Sequence, residues 1–328
     1  MDFIGSALAP NVLTIRTELA ALASERARLG HGHLTYRFPD RGKKDTHTDC
    51  LNDCALDALR KDDSQNAGLQ ASFGFAPFLQ STCRDGLLTE RNPLEALAAP
   101  ASLSPLFAQA GLAEPSPFKL HVYAVSPFVL MVDVPQLGDA PLPRDWEDLL
   151  HPCYRGHVVT TAEDPVSNVA SLAFYERWGA QGLKELYANV AYSASAAVMG
   201  QAAGSPVPHR GSIFIAPWFF ARLCAVRPGV RMVWPASGAL AFPLWLALRT
   251  DASDGARAVA RYFCSDDFAR SSSSVFLPCA NDAGTSSLPV PHGSLRWVGW
   301  DFLAALDVAS YASCACRAAK NVPVMEGL

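Results

Sequence analysis

Two long apolar runs, each interrupted by proline, constrain this chain more than any other feature. Leu120–Val134 (LHVYAVSPFVLMVDV) is rich in strand-forming residues and is interrupted by Ser126-Pro127. Proline removes a ladder donor and is confined to edges, bulges and strand breaks. Arg231–Arg249 (RMVWPASGALAFPLWLALR) repeats the arrangement, with two apolar segments around a Pro and Gly break. A run this long with a break in it predicts a strand that passes between two sheets. Two such runs predict one domain inserted into another through two antiparallel connections, which is a hinge. The division expected is 30–125 plus 245–328 as lobe 1, 126–244 as lobe 2, and 1–29 as an N-terminal helix.

Between and around these runs, helical and strand-like segments alternate, as in an α/β domain. Val12, Ile15, Leu19, Leu22 and Leu29 recur at helical spacing, and Cys50–Arg60 reads as a second helix. Within the insert, Asp145 can cap a short helix, and GHVVTT (Gly156–Thr161) is a short strand. Ser167 or Asn168 then caps a helix, and a second helix carries Leu183, Leu186, Tyr187 and Val190. Ser193–Gly200 reads as a small-residue helix, and Ser212–Ala216 as a strand that runs into Pro217, a residue suited to the first helical position. Asp254–Phe268 and Leu295–Ala319 are expected to be helical.

Composition excludes several classes. Half of the 328 residues are hydrophobic and 18% are charged, which is not the balance of a disordered chain. A net charge of −4 leaves no basic footprint for nucleic acid. No apolar run reaches the length of a membrane span, so no membrane insertion is expected. The nine cysteines are scattered and odd in number, against a disulfide framework. Met1–Gly30 has no basic segment leading into an apolar one and no cleavage site. Together these predict a cytoplasmic protein, the alternative being a periplasmic one whose leader was removed. His47, Cys50 and Cys54 lie close together, but without the paired spacing of a zinc site, so no metal and no cofactor are expected.

There is no GxxxxGK[ST], GxGxxG after a strand, GxSxG or HExxH, so the common nucleotide, dinucleotide and hydrolase motifs are absent. Three strand-to-helix turns remain: Ser72-Phe73-Gly74, Asp164–Asn168 and Ala216-Pro217-Trp218. In an open α/β sheet ligands lie beyond the carboxyl ends of strands, where unpaired N–H groups and the helix dipole attract anions. Ser and Asn add uncharged donors there, and Trp218 could wall a pocket.

These residues carry a resemblance. DWEDLLHPCYRGHVV (Asp145–Val159), TAEDPVSN, WPASGALAFPLWLAL and LRWVGWDF (Leu295–Phe302) resemble motifs of the iron-transport-type subset of type II solute-binding proteins of ABC importers. The resemblance runs from about Ser72 to Trp300 and implies an α/β, two-lobe periplasmic-binding-protein-like (type II) fold with hinge strands. It implies ligand-binding positions at Ser72 and Gly74 in the first lobe, and at Ser126 beside Pro127 in the hinge crossing. In the second lobe it implies Asp164, Ser167 and Asn168, then Trp218 after Pro217, and Ser237 with Gly238 at the return crossing. Members that hold ferric iron directly use tyrosine phenolates, often an adjacent pair; here the eight tyrosines are single, so a small anion or organic solute is expected.

The function implied is capture of a small, anionic ligand by hinge closure without chemistry, with an ABC permease as partner. The competing expectation is an enzyme or sensor on the same fold, for which Cys153, Cys224 and Cys279 are the candidate nucleophiles, or a metal-binding protein using His47, Cys50 and Cys54.

Overall fold

In the computed structural model, residues 2–37, 70–72 and 94–326 are described, except 6, 9, 98, 163, 207–209, 285–287 and 289–293. The chain divides into two units. Met1–Val125 with Pro243–Leu288 form unit 1, and Ser126–Phe242 with Pro289–Leu328 form unit 2.

Unit 1 opens with β1 (Phe3–Gly5), which lies between two parallel neighbours. These are β2 (Tyr36–Arg37) and β3 (Gln70–Ser72). Helix α1 (Val12–Arg28) buries Ile15 and Leu19, one turn apart, against the unit. Three side-chain bonds hold this N-terminal stretch: Ser253 Oγ donates to the Asp2 carboxylate, the Arg26 guanidinium pairs with Asp254 at 3.0 Å, and Asn11 Nδ2 donates to Ser272 Oγ. Residues 1–29 are therefore part of unit 1, a correction to the separate helix expected. The expected helix at Cys50–Arg60 lies outside the described residues, as do His47, Cys50 and Cys54. Next come β4 (Leu94–Glu95) and a short helix, α2 (Pro105–Gln109), entered through Pro105.

Strand β5 (His121–Asp133) crosses from unit 1 to unit 2 between Val125 and Ser126. The break expected at Ser126-Pro127 is absent, and the strand is continuous. In unit 1, Val125 N–H donates to Pro278 O and Ala280 N–H to Tyr123 O. In unit 2, Phe128–Val132 pair antiparallel with Pro217–Ile213, and Leu130–Asp133 with Val233–Val230. Pro127 falls where these partners change over, so its missing N–H removes no bond from any of these pairings.

Asp133 caps α3 (Val134–Leu137), and a capping box closes the 3-10 turn Trp146–Leu150. The unit then alternates: β6 (Val158–Thr161), α4 (Val169–Asn189), β7 (Val190–Ala194), α5 (Ala196–Ala202), β8 (Ile213–Pro217), α6 (Trp218–Cys224) and β9 (Val230–Val233). Strand β6 is parallel to both β7 and β8. Val158, Val159, Ile213 and Phe214 are fully buried, as expected for strands covered on both faces. The two helices expected within α4 are present and meet at Gly179, whose φ of 62° and ψ of −155° are non-helical. One expectation is corrected. Val190–Ala194 is a strand, because helix formation restarts only after Ser195, whose side chain caps α5.

Strand β10 (Ala239–Leu246) returns the chain to unit 1 between Phe242 and Pro243. There β11 (Leu248–Arg249) pairs antiparallel with β4. The expected single helix 254–268 is two, α7 (Asp254–Phe263) and α8 (Asp266–Ser273), because Ser265 accepts from Phe268 N–H and starts a new helix. The last segment belongs to unit 2, not to lobe 1 as expected. Strand β12 (Leu295–Arg296) pairs with β10 at Ala239 and Leu240. After α9 (Trp300–Ala305) and α10 (Val308–Ala319), β13 (Val324–Met325) extends β7. Arg296 pairs with Glu176 of α4 at 3.0 Å, and Tyr311 and Ala315 of α10 are fully buried. No described helix is long and apolar enough to cross a membrane.

Candidate functional site

Because β6, β7 and β8 are parallel, their carboxyl ends lie along one edge of the unit 2 sheet. Phe128 sits opposite Pro217 in antiparallel register, so Ser126-Pro127 enters the sheet at that edge. This edge is the rim on which an open α/β sheet binds ligands. It carries Ser126, residues 164–168, the turn at Ser195 and the turn at Pro217.

The loop after β6 is built by two side chains. The Asp164 carboxylate accepts from Val166 N–H at 3.0 Å, and its carbonyl accepts from the N–H groups of Ser167 and Asn168 at 2.8 and 3.1 Å. The Asn168 oxygen accepts from Ala170 and Ser171 N–H at 2.9 and 3.3 Å, while its amide donates to Thr160 and Thr161 hydroxyls at 2.8 and 3.0 Å. Asn168 is 2% exposed, and both its donors and its acceptor are engaged. The expected anion nest of bare N–H groups is therefore filled by the loop itself. Asn168 caps α4 and ties it to β6; Ser167 is half-buried and Asp164 is exposed.

Trp218 was expected to wall a pocket, but it is fully buried in unit 2. It meets Trp234 edge to face at 5.2 Å. Trp234 is half-buried, and its ring donates to Ser294 O. Sequence reasoning passed over Trp234 and Ser195; the signal for Trp234 was a Trp-Pro pair ahead of the return strand.

Ser237 and Gly238 join two of the sequence motifs. Ser237 Oγ donates to Asp145, Trp146 Nε1 donates to Gly238 O at 2.8 Å, and Ala236 N–H donates to Arg144 O. Gly238 has φ +104°, and an added Cβ would stand 2.8 Å from Ser294 O, so only glycine fits. Ser126 is 3% exposed. In unit 1, Ser72 closes β3 opposite Gly5, and Gly74 lies outside the described residues.

Electrostatics bear on the competing chemistry. Burial pushes the phenols of Tyr154, Tyr187 and Tyr192 up to about 12, and raises those of Tyr262 and Tyr311. Burial likewise raises the Cys224 thiol and pushes Cys279 up to about 12, the opposite of an activated nucleophile. Cys153 is exposed. Among the described residues, no three His, Cys, Asp or Glu side chains converge on a metal position.

Solved structures show the same fold. A ferric binding protein from Bordetella has 17% identity and TM-score 0.55, over 97% of this chain and 96% of that one. IdiA (FutA) of Trichodesmium, in complex with iron and citrate, has 14% identity and TM-score 0.60, over 97% of each chain. The periplasmic binding protein AfuA of Actinobacillus pleuropneumoniae, with fructose-6-phosphate, has 13% identity and TM-score 0.60, over 98% of this chain and 97% of that one. These likenesses give the two-lobe periplasmic-binding-protein fold. Among curated protein sequences, none matches the chain.

A profile described as bacterial extracellular solute-binding protein matches residues 69–306. This overturns the expected cytoplasmic location. The cysteine argument failed because a chain of 328 residues buries a core without disulfides, so unpaired thiols do not report the compartment. The match runs from β3 to α9 and takes in every motif on which the resemblance rested: the chain belongs to the bacterial extracellular solute-binding protein family.

Proposed function

We propose that the chain is the ligand receptor of an ABC importer, closing its two units on a small solute and catalysing no reaction. The observation that carries this reading is the pair of crossings, at Val125–Ser126 in β5 and Phe242–Pro243 in β10. Two strands that each belong to both units can flex together while each unit keeps its own core. A solute touching both units binds the closed arrangement better, and that difference alone shifts the population.

The rim of unit 2 supports a refinement of the ligand class. The N–H groups of the loop after β6 are engaged by Asp164 and Asn168, so that loop offers a bare inorganic anion no nest. Asp164 is exposed, and Ser167 and Trp234 are half-buried. Those groups suit an organic solute carrying hydroxyl groups beside any acid group. Ser167→Ala tests the assignment by calorimetry against sugar acids, sugar phosphates and hydroxy acids. Affinity is expected to fall by roughly three- to tenfold, the worth of one hydrogen bond. An unchanged affinity removes Ser167 from the site.

The enzyme reading is tested by alkylation. Full modification with iodoacetamide should leave solute binding intact, because the only fully exposed candidate thiol is Cys153. Turnover of the solute that alkylation abolishes would reinstate the enzyme.

A further inference from the structure

A cavity of about 700 Å³ lies between the C-terminal half of α4 and the C-terminal half of α10, wholly within unit 2. Its size is in the range of small-molecule sites. Ala188, Val190 and Val322 contribute apolar surface, and the polar groups are Lys184, Arg317, Gln181 and Asn321. Two cations face this space, and no carboxylate lines it. Neither cation makes an ion pair with a described residue; Arg317 reaches Cys314 Sγ at 3.7 Å on its own helix.

Both walls are fixed before any ligand arrives. Tyr311 OH donates to Val166 O at 3.2 Å and anchors the first turn of α10. Beyond the helix, β13 pairs with β7 at Val324–Ser193 and Met325–Ala194. The α4 wall runs directly into β7 at Val190. A preformed cavity binds without the cost of ordering its walls. Val190 begins β7 and Ala194 ends it, so this cavity stands at the opposite end of the strand from the rim.

We propose that this cavity is a second binding site, for a small multivalent oxyanion bearing carboxylate or phosphate groups, separate from the solute rim. Lys184 supplies a point charge and Arg317 a planar fork, with the Asn321 amide as a further donor; the Gln181 amide already donates to Glu185 at 2.7 Å.

The test is a titration with pyrophosphate, followed by calorimetry and thermal shift at constant ionic strength. Saturable binding is expected, weakened at least about tenfold by Lys184→Gln and by Arg317→Gln, each removing one charge-assisted hydrogen bond. Both side chains are exposed, so the unliganded melting temperature of the variants should match that of the parent. The rim variant Ser167→Ala should bind pyrophosphate as the parent does. Three results would overturn the proposal: no saturable binding, equal affinity in parent and groove variants, or a loss confined to Ser167→Ala.

Discussion

Asn168 in unit 2 and His121 in unit 1 are two polar side chains in different settings. On the rim of unit 2, Asn168 is buried with four hydrogen bonds, and the Trp146 ring nitrogen, deep in the unit, reaches Gly238 O. In unit 1, His121 is half-buried against a sulfur, with Cys264 Sγ 3.5 Å from its Nε2. Among the described residues, buried hydroxyls without a hydrogen-bond partner occur in both units, Tyr262 in unit 1 and Tyr192 in unit 2. The bonds of Asn168 make a rigid frame on the rim, the condition for a pre-organised binding site. Desolvation of His121 disfavours its charged form, which makes stability depend on its protonation state.

The largest expected effect sharpens the unit 2 side. Trp146 is 1% exposed, packs edge-on against Phe174 and ties the 145–150 turn to the return strand. Trp146→Ala should cost about 3–5 kcal/mol in denaturant unfolding. A cost near zero would mean that the two motifs it joins are held by other contacts.

The next tests the unit 1 side. Burial lowers the His121 pKa from 6.5 to about 4, so the folded chain resists a proton that the unfolded chain accepts. Stability is then full above pH 6.5 and falls as the pH drops from there towards 4, by about 3 kcal/mol in total if the shift is fully expressed. Unfolding measured across that window should show the slope, and His121→Gln should flatten it. A parent and a variant with parallel pH profiles would break the comparison between the units.

Asn168→Ala comes third. It removes the cap of α4 and leaves Thr160 and Thr161 without their amide partner, at a cost of about 2 kcal/mol. Calorimetry on the folded fraction separates this from ligand loss. Ser167→Ala, the smallest, should change stability by no more than about 0.5 kcal/mol, because the side chain is half-buried and outside the frame. Its effect belongs to affinity. If Asn168→Ala proved neutral and Ser167→Ala destabilising, the division of labour on the rim would be reversed.

Much of the fold was legible in the residues because it rests on local rules. The two long apolar runs were legible as strands, now β5 and β10, and the spacing of Ile15 and Leu19 marked α1. Ser195 and Ser265 show what was missed. Each is a cap that ends one element and starts another, yet each sits in a small or polar stretch whose composition reads as continuous helix. The C-terminal segment was misassigned because pairing is a long-range fact. Nothing in Leu295–Arg296 names Ala239 and Leu240 as its partners. The site was less legible than the fold. Asn168, Trp218 and Gly238 were singled out for residue type at a strand end, and residue type cannot separate a side chain that builds a turn from one that faces a ligand.

Native against denaturing mass spectrometry, on the chain incubated with a low-molecular-mass extract of bacterial growth medium, tests the central claim most directly. A solute receptor predicts one non-covalent adduct at one-to-one stoichiometry, released intact on denaturation and diminished by Ser167→Ala. A chain that leaves the extract with no adduct, or returns the solute chemically altered, would contradict the account.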